Sequence, residues 1–302
     1  MSETIEYSLS FILATSNRLT FLKITLEKLI NNVETNEEIV VVDGASTDGT
    51  KEYLQQLYHE GKIHQFISEP DKNQAHGWNK AMLLARGTII KKIIDDDVFC
   101  YTAIRKCKQY MLSNPSVDAI ISNDLSSSTN NYKQIDKLSR LSQFEKWRDE
   151  QIPSFTFGDV HLLIRRNSIS FIGLYNTSFV MMDWEYALRI SYVKANLVYY
   201  TGYNALSVSH PGTVSANKNI KQIAEQGKRG SYFYQYMGDG ADISIWSKIK
   251  IGLGKYILKR KKILNQKNDN KQNFETIYKS FYCYIDELNQ NGQFTFLSSN
   301  DA

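Results

Sequence analysis

A chain of 302 residues with 42% hydrophobic residues, only four prolines and a net charge of +4 can bury one large core, or two that share a sheet, which excludes wholesale disorder. No run of about 18 apolar residues occurs, and the start, Met-Ser-Glu-Thr-Ile-Glu-Tyr, is acidic and lacks the regions of a secretory signal. A cytoplasmic globular protein is therefore expected.

Residues 8–14 read as a first strand, and Leu22, Leu26, Leu29 and Ile30 form one face of a first helix after the start signal Thr15-Ser16-Asn17. Glu38-Ile-Val-Val-Val-Asp43 predicts a second strand with Asp43 at its carboxyl end. An Asp/Gly/Ser turn follows, then a helix from near Thr50 that carries Tyr53, Leu54 and Leu57. A short strand over 63–67, a loop over 68–74 containing Asp71, a helix from about 75 to 85 and a strand over 88–94 complete the series. Strands and helices alternating at this spacing predict an α/β fold, a Rossmann-like, mostly parallel sheet with flanking helices.

The last of these strands runs into Asp95-Asp96-Asp97-Val-Phe. Acids at strand ends point where a parallel sheet gathers its ligands, and three adjacent carboxylates repel one another unless they share a cation. The cluster therefore reads as a metal site, with a helix N-cap and solvated neighbours as the plainer alternative. For Asp43 the plainer alternative is a turn-forming Asx residue, and for Asp71 a simple turn residue after Pro70.

In the second half, the Ser/Asn-rich stretch 122–132 reads as a mobile loop at a seam, suited to closing over a ligand. Val180-Met-Met-Asp183-Trp184-Glu185-Tyr-Ala-Leu-Arg189 sets two carboxylates at the start of an amphipathic helix, where the helix dipole alone also favours acids. Between Lys248 and Lys271 nine basic residues interleave with apolar ones, which suits either a helix lying on an anionic membrane surface or a packed helix with a solvated basic face. Nucleic acid is not an expected partner, since no aromatic platform or groove-reading motif accompanies the charge. Cys100, Cys107 and Cys283 lack paired metal-ligand spacing and are expected to be free thiols.

Taken together, Thr15-Ser16-Asn17-Arg18, Asp43-Gly-Ala-Ser46-Thr-Asp48-Gly49-Thr50, Ser-Glu-Pro-Asp71, Asn79-Lys80-Ala81 with Ala85-Arg86-Gly87, and Asp95-Asp96-Asp97-Val-Phe99 resemble the ordered motifs of family 2 glycosyltransferases with the GT-A fold. The resemblance covers residues 7 to 100 and continues more weakly to about 215. It implies an inverting, metal-dependent hexosyltransferase that uses a nucleotide-sugar donor, with a UDP-sugar expected. The acceptor would be a glycan or a lipid-linked sugar, in bacterial surface polysaccharide or glycoconjugate synthesis. Carried over, Thr15, Asn17, Arg18, Asp43, Ser46, Asp71, Asn79, Lys80 and Asp96 would bind the nucleotide, with Asp43 reading the base. Asp97, with Asp95 and His210, would hold Mn²⁺ or Mg²⁺ against the diphosphate. Asp183 falls where the family carries its catalytic base, and Trp184, Glu185 and His161 would meet the acceptor. Asn73, His76 and Ala81 depart from the Gly, Asp and Gly of the family pattern and bear on the donor.

The chemistry suits these residue types, because no Walker-type G-x-x-x-x-G-K-[ST] is present and a cation held by carboxylates would neutralise a diphosphate leaving group. A dinucleotide-binding Rossmann enzyme lacks its Gly-rich turn here, and a receiver domain is much shorter. A catalytically inactive nucleotide- or sugar-binding module of the same fold remains the alternative. The expected organisation is a nucleotide-sugar-binding half over 1–124, an acceptor-binding half over 125–235, and a helical basic extension over 236–302. That extension would serve a peripheral attachment to the inner face of the plasma membrane.

Overall fold

β1 (Leu9–Thr15) enters α1 (Leu19–Ile30) and then β2 (Glu37–Asp43), which lies parallel to β1 with Leu9 opposite Glu37 and Thr15 opposite Asp43. Two strand ends named by the sequence are thus side by side. A computed structural model describes residues 6–210, 220–238 and 274–300. The basic segment 245–271 lies outside the described residues.

The chain continues through α2 (Thr50–His59), β3 (Gln65–Ser68), α3 (Gln74–Leu84), β4 (Ile89–Lys92), β5 (Val98–Phe99), α4 (Tyr101–Ser113) and β6 (Ala119–Ser122). Next come β7 (Asp124–Ser128), β8 (Asp136–Leu138), α5 (Leu141–Arg148), β9 (Leu163–Arg165), α6 (Ile169–Ile172) and α7 (Met182–Tyr192). β10 (Leu197–Tyr200), β11 (Ala205–Ser209), α8 (Ile220–Phe233), α9 (Phe274–Asn291) and β12 (Phe296–Ser298) close the described chain.

The main sheet has the order β12-β10-β6-β9-β4-β1-β2-β3. Its pairs are parallel except that β9 runs antiparallel to both β4 and β6, and β12 antiparallel to β10. The expected mostly parallel α/β sheet is present.

Strands covered on both faces need apolar residues at successive positions, which is why β1 and β2 read as continuous runs. Leu9, Phe11 and Leu13 of β1 join Ile39 and Val41 of β2 in a core shared with α1, α2, α4 and α9. Ile12, Val40 and Val42 face the opposite side and pack against α3, α5 and α7. Each such fully buried aliphatic side chain contributes about 1.5–3 kcal/mol. Glu38 is wholly buried among them. Burial alone would raise its pKa, but bonds from Ser10, Arg86 and Gln65 outweigh it and hold the carboxyl below the usual range.

The polar stretch 122–132, read from sequence as a mobile loop, is instead the end of β6, strand β7 and a short 3-10 turn over Thr129–Asn131. β7 pairs parallel with β11 and antiparallel with β8 in a second sheet ordered β5-β11-β7-β8. Its backbone finds partners on both sides, so the absence of an apolar face did not prevent a strand. Of the residues assigned from sequence to a helical extension, 274–291 are helical, with Tyr278, Phe281 and Ile285 in the first core, while 296–298 join the main sheet.

Candidate active site

A cavity of about 840 Å³ opens at the carboxyl ends of β1 and β4, where the main sheet meets the second one. Thr15, Arg18, Asp71, Asp95, Asp96, Asp97 and Asp183 line it, together with Ser126, Ser127, Ser128 and Asp159. Seven of the residues singled out from sequence therefore share one space, although they span almost 170 positions of chain.

The acidic loop after β4 is held from several directions. Thr15 Oγ1 donates to Asp95 Oδ2 at 2.6 Å, and Thr25 Oγ1 to the Asp95 carbonyl at 2.7 Å. Arg18 Nη1 donates to Asp96 Oδ2 at 2.9 Å, and His210 Nε2 lies 2.9 Å from the same oxygen. The Val208 amide donates to Asp97 Oδ1 at 2.7 Å, and Tyr278 OH to the Asp96 carbonyl at 2.6 Å. His210 also stacks on Phe21, with ring centroids 4.2 Å apart. It reaches the acid cluster through Asp96.

All three carboxyl groups are more than nine-tenths buried. Burial, reinforced by Asp96, pushes Asp95 up to about 7, and the same causes in the same order raise Asp97 well above the carboxylate range. A cluster that resists full ionisation on its own is chemically suited to a hard divalent cation, which binds oxygen ligands and would offset the repulsion. The donor set fits such an ion, although among the described residues no three acidic, His or Cys side chains already stand as a coordination group.

Asp43 does not reach the cavity wall. It is wholly buried and accepts from the Ser46 amide at 3.1 Å, from the Ser46 hydroxyl, and from Ser68 Oγ at 2.7 Å. Asn17, at a positive φ of 53°, donates its amide to Ser46 Oγ at 2.8 Å and accepts from the Thr47 amide at 2.9 Å. Asn17, Asp43 and Ser46 thus weave the exits of β1 and β2 into one turn, the Asx alternative in physical form.

Asp71 lines the cavity and pairs with Lys80 Nζ at 2.7 Å, which also pairs with Glu69 at 2.9 Å. A Cβ at Gly77 would meet Asp71 Oδ2 at 2.6 Å, so α3 approaches Asp71 this closely only because residue 77 has no side chain. Asn79 exchanges hydrogen bonds with the backbone of Tyr175, at 2.9 and 2.8 Å. Lys80 and Asn79 therefore brace the wall from behind.

On the opposite side, Asp183 lies in the first turn of α7 and lines the cavity. Its neighbours turn away. Glu185 is wholly buried, accepts from Arg189 at 2.7 and 3.1 Å, and takes the Tyr234 hydroxyl. Trp184 packs its edge against Tyr236, with centroids 5.7 Å apart, and covers Gly230. His161 is 2% exposed and stands 3.3 Å from Asp124 Oδ1. Burial, followed by the charges of Lys91 and Arg140, pushes it down to about 3, so it is neutral near pH 7.

Sequence reasoning passed over Lys91, Lys92 and Asp159. Lys91 Nζ is wholly buried, bonded to the Val160 carbonyl and within 3.3 Å of Asn204 Oδ1, and burial lowers it to about 7. Lys92 Nζ donates to Asp159 Oδ2 at 2.5 Å, and Tyr175 OH donates to the same oxygen at 2.8 Å. Two lysines interrupting the apolar run of residues 88–94 were the available signal.

The sequence matches the model of Glycosyl transferase family 2 over residues 10–173. It is 27% identical over 104 residues to the putative teichuronic acid biosynthesis glycosyltransferase TuaG of Bacillus subtilis (strain 168), a match spanning 34% of this chain and 41% of that protein. Among solved structures, S. aureus TarS 1–349 in complex with UDP-GlcNAc superposes with a TM-score of 0.58 at 14% identity, covering 74% of this chain and 66% of that one. The mannosyltransferase PcManGT from Pyrobaculum calidifontis, in complex with GDP-Man and Mn²⁺, gives 0.55 at 14% identity, covering 93% and 88%. At such identities the two structures show a shared fold, of GT-A type.

Proposed function

The chain belongs to glycosyl transferase family 2, matched over more than half of its length, and from that premise we propose that it moves a hexose from a nucleotide diphosphate sugar to a hydroxyl of a glycan or lipid-linked acceptor. The observation that carries this reading is the single cavity in which the buried acids Asp95, Asp96 and Asp97 and the cation Arg18 face Asp183. The same residues on separate surfaces would not support a transfer reaction.

Asp183 takes the proton of the acceptor hydroxyl as that oxygen attacks the anomeric carbon. The bond from that carbon to the diphosphate oxygen breaks, and the nucleoside diphosphate leaves with the electron pair. Attack opposite the leaving group inverts the anomeric configuration. Arg18 offsets negative charge growing on the diphosphate. A bound Mn²⁺ or Mg²⁺, held by Asp97 with Asp95 and Asp96, would neutralise the same charge. Thr15 and the Val208 amide fix the carboxylates in place. The Ser-rich strand β7 offers the acceptor hydroxyl groups along one wall.

The similar structures, one in complex with UDP-GlcNAc and one with GDP-Man, support a nucleotide-sugar donor and make UDP and GDP the first nucleotides to compare. The name of the Bacillus relative supports a role in bacterial surface polysaccharide synthesis. Among the described residues no helix is long and apolar enough to cross a membrane. The reading places the enzyme in the cytoplasm, with segment 245–271 as its contact with the anionic inner face of the plasma membrane.

Thermal unfolding with UDP, GDP, CMP or dTDP, each with and without Mn²⁺, tests the proposal. Ligand at 100 times its Kd adds about 2.7 kcal/mol. Stabilisation by one nucleotide that requires metal, and is lost in Asp97→Asn, is the expected result. Stabilisation with no turnover of any sugar donor would favour an inactive binding module instead.

A further inference from the structure

The cavity wall between the acidic loop and Asp183 carries a charged pair that the transfer reaction described above does not use. Lys92 is the last residue of β4, on the strand that runs directly into Asp95. Its ammonium group donates to Asp159 Oδ2 at 2.5 Å and stands 4.4 Å from the centre of the Trp78 ring and 5.3 Å from that of Tyr175. Tyr175 OH donates to the same carboxylate oxygen, so both bonds fall on Oδ2, and Oδ1 has no protein partner among the described residues. Lys92, Asp159 and Trp78 all line the cavity.

A buried ion pair of this kind adds little to stability, because the cost of removing both charges from water roughly cancels their attraction. Apolar side chains would fill the space as well. What the pair does supply is a donor and an acceptor side by side next to an aromatic face, the set of groups that recognises adjacent hydroxyls of a pyranose ring and covers its C–H face.

Resting on the transferase reading, we propose that Lys92 and Asp159 form the subsite that recognises the donor hexose, Lys92 donating to one hydroxyl and Asp159 Oδ1 accepting from its neighbour. The group they reach is the one bonded to the diphosphate, since β4 delivers Lys92 and the acidic loop to the same end of the cavity. Because Asp159 already neutralises Lys92, the subsite suits an uncharged hexose and leaves no net positive charge to hold a uronate.

Removing one partner would leave a buried charge, so the test uses the double variant Lys92→Met/Asp159→Asn, and Lys92→Arg, which keeps the charge and changes its geometry. Calorimetric titration of wild type and both variants, with Mn²⁺, compares UDP and GDP with UDP-glucose, UDP-N-acetylglucosamine, GDP-mannose and UDP-glucuronate. In the double variant the ratio of nucleotide-sugar Kd to nucleotide Kd should rise about tenfold, with the nucleotide Kd itself unchanged within about twofold. Lys92→Arg should change the ranking of the neutral sugars. An unchanged ratio in both folded variants, or UDP-glucuronate bound more tightly than UDP-glucose by the wild type, would overturn the subsite while leaving the transferase reading intact. A wild type that binds no nucleotide would overturn both.

Discussion

Arg18 Nη1 donates to Asp96 Oδ2 at 2.9 Å, a bond between residues 78 positions apart whose side chains are only 16% and 9% exposed. It sets a guanidinium of the cavity wall against the acid cluster. Replacement by Met should weaken nucleoside diphosphate binding about tenfold, and Arg18→Lys should recover part of that loss as a point charge without the planar fork. Calorimetric titration measures both.

Asp183→Asn keeps the shape of the first turn of α7 and removes the proton acceptor. Nucleotide affinity should hold, while turnover of donor and acceptor falls by about 10²–10⁴-fold. Full activity in this variant would assign the proton transfer to another group.

Asp43→Ala strips the acceptor from two hydroxyls and one amide in a fully buried turn. Denaturant unfolding should show a loss of about 1–3 kcal/mol. If the variant instead loses nucleotide affinity while its unfolding midpoint stays fixed, Asp43 contacts the base directly.

His161 has a folded pKa near 3 against 6.5 when exposed. The folded state thus binds fewer protons, and its stability falls as pH drops from 6.5 towards 3, by at most about 1.4 kcal/mol per pH unit, and is flat above 6.5. Asp124 is raised by burial to about 6, so it titrates in the opposite sense between 3.8 and 6. The comparison of wild type with His161→Gln, which retains Asp124, isolates the histidine: wild type should lose ground to the variant between pH 6.5 and 4.5.

Asp95 to Asp97 and the order of the first strands were legible because βα alternation and an apolar run fix which residues stand at strand ends. Burial direction was not. Glu185 sits two residues from Asp183 in sequence, yet the helix turns it into the protein, onto Arg189 and Tyr234, while Asp183 meets the cavity. Lys91 and Lys92 were overlooked because a charged residue in a strand ordinarily signals a solvated face, and here both faces of β4 are covered. β7 was hidden for the converse reason: Ser126 to Ser128 are set beside β11, and Ser126 also beside β8, by backbone pairing, so no alternating apolar pattern announces them.

β9 brings Leu163–Arg165 into the gap between β4 and β6 and pairs with both. Among the described residues preceding it nothing fills that gap, so β4 and β6 each keep a bare edge until a segment some forty positions further along inserts. Pairing between segments this far apart in sequence closes long loops, which slows folding, and a fragment ending at β6 would leave the β9-facing edge of β4 and both edges of β6 open to other chains. A chimera that exchanges the stretch from β1 to β6 between relatives must carry β9 with it.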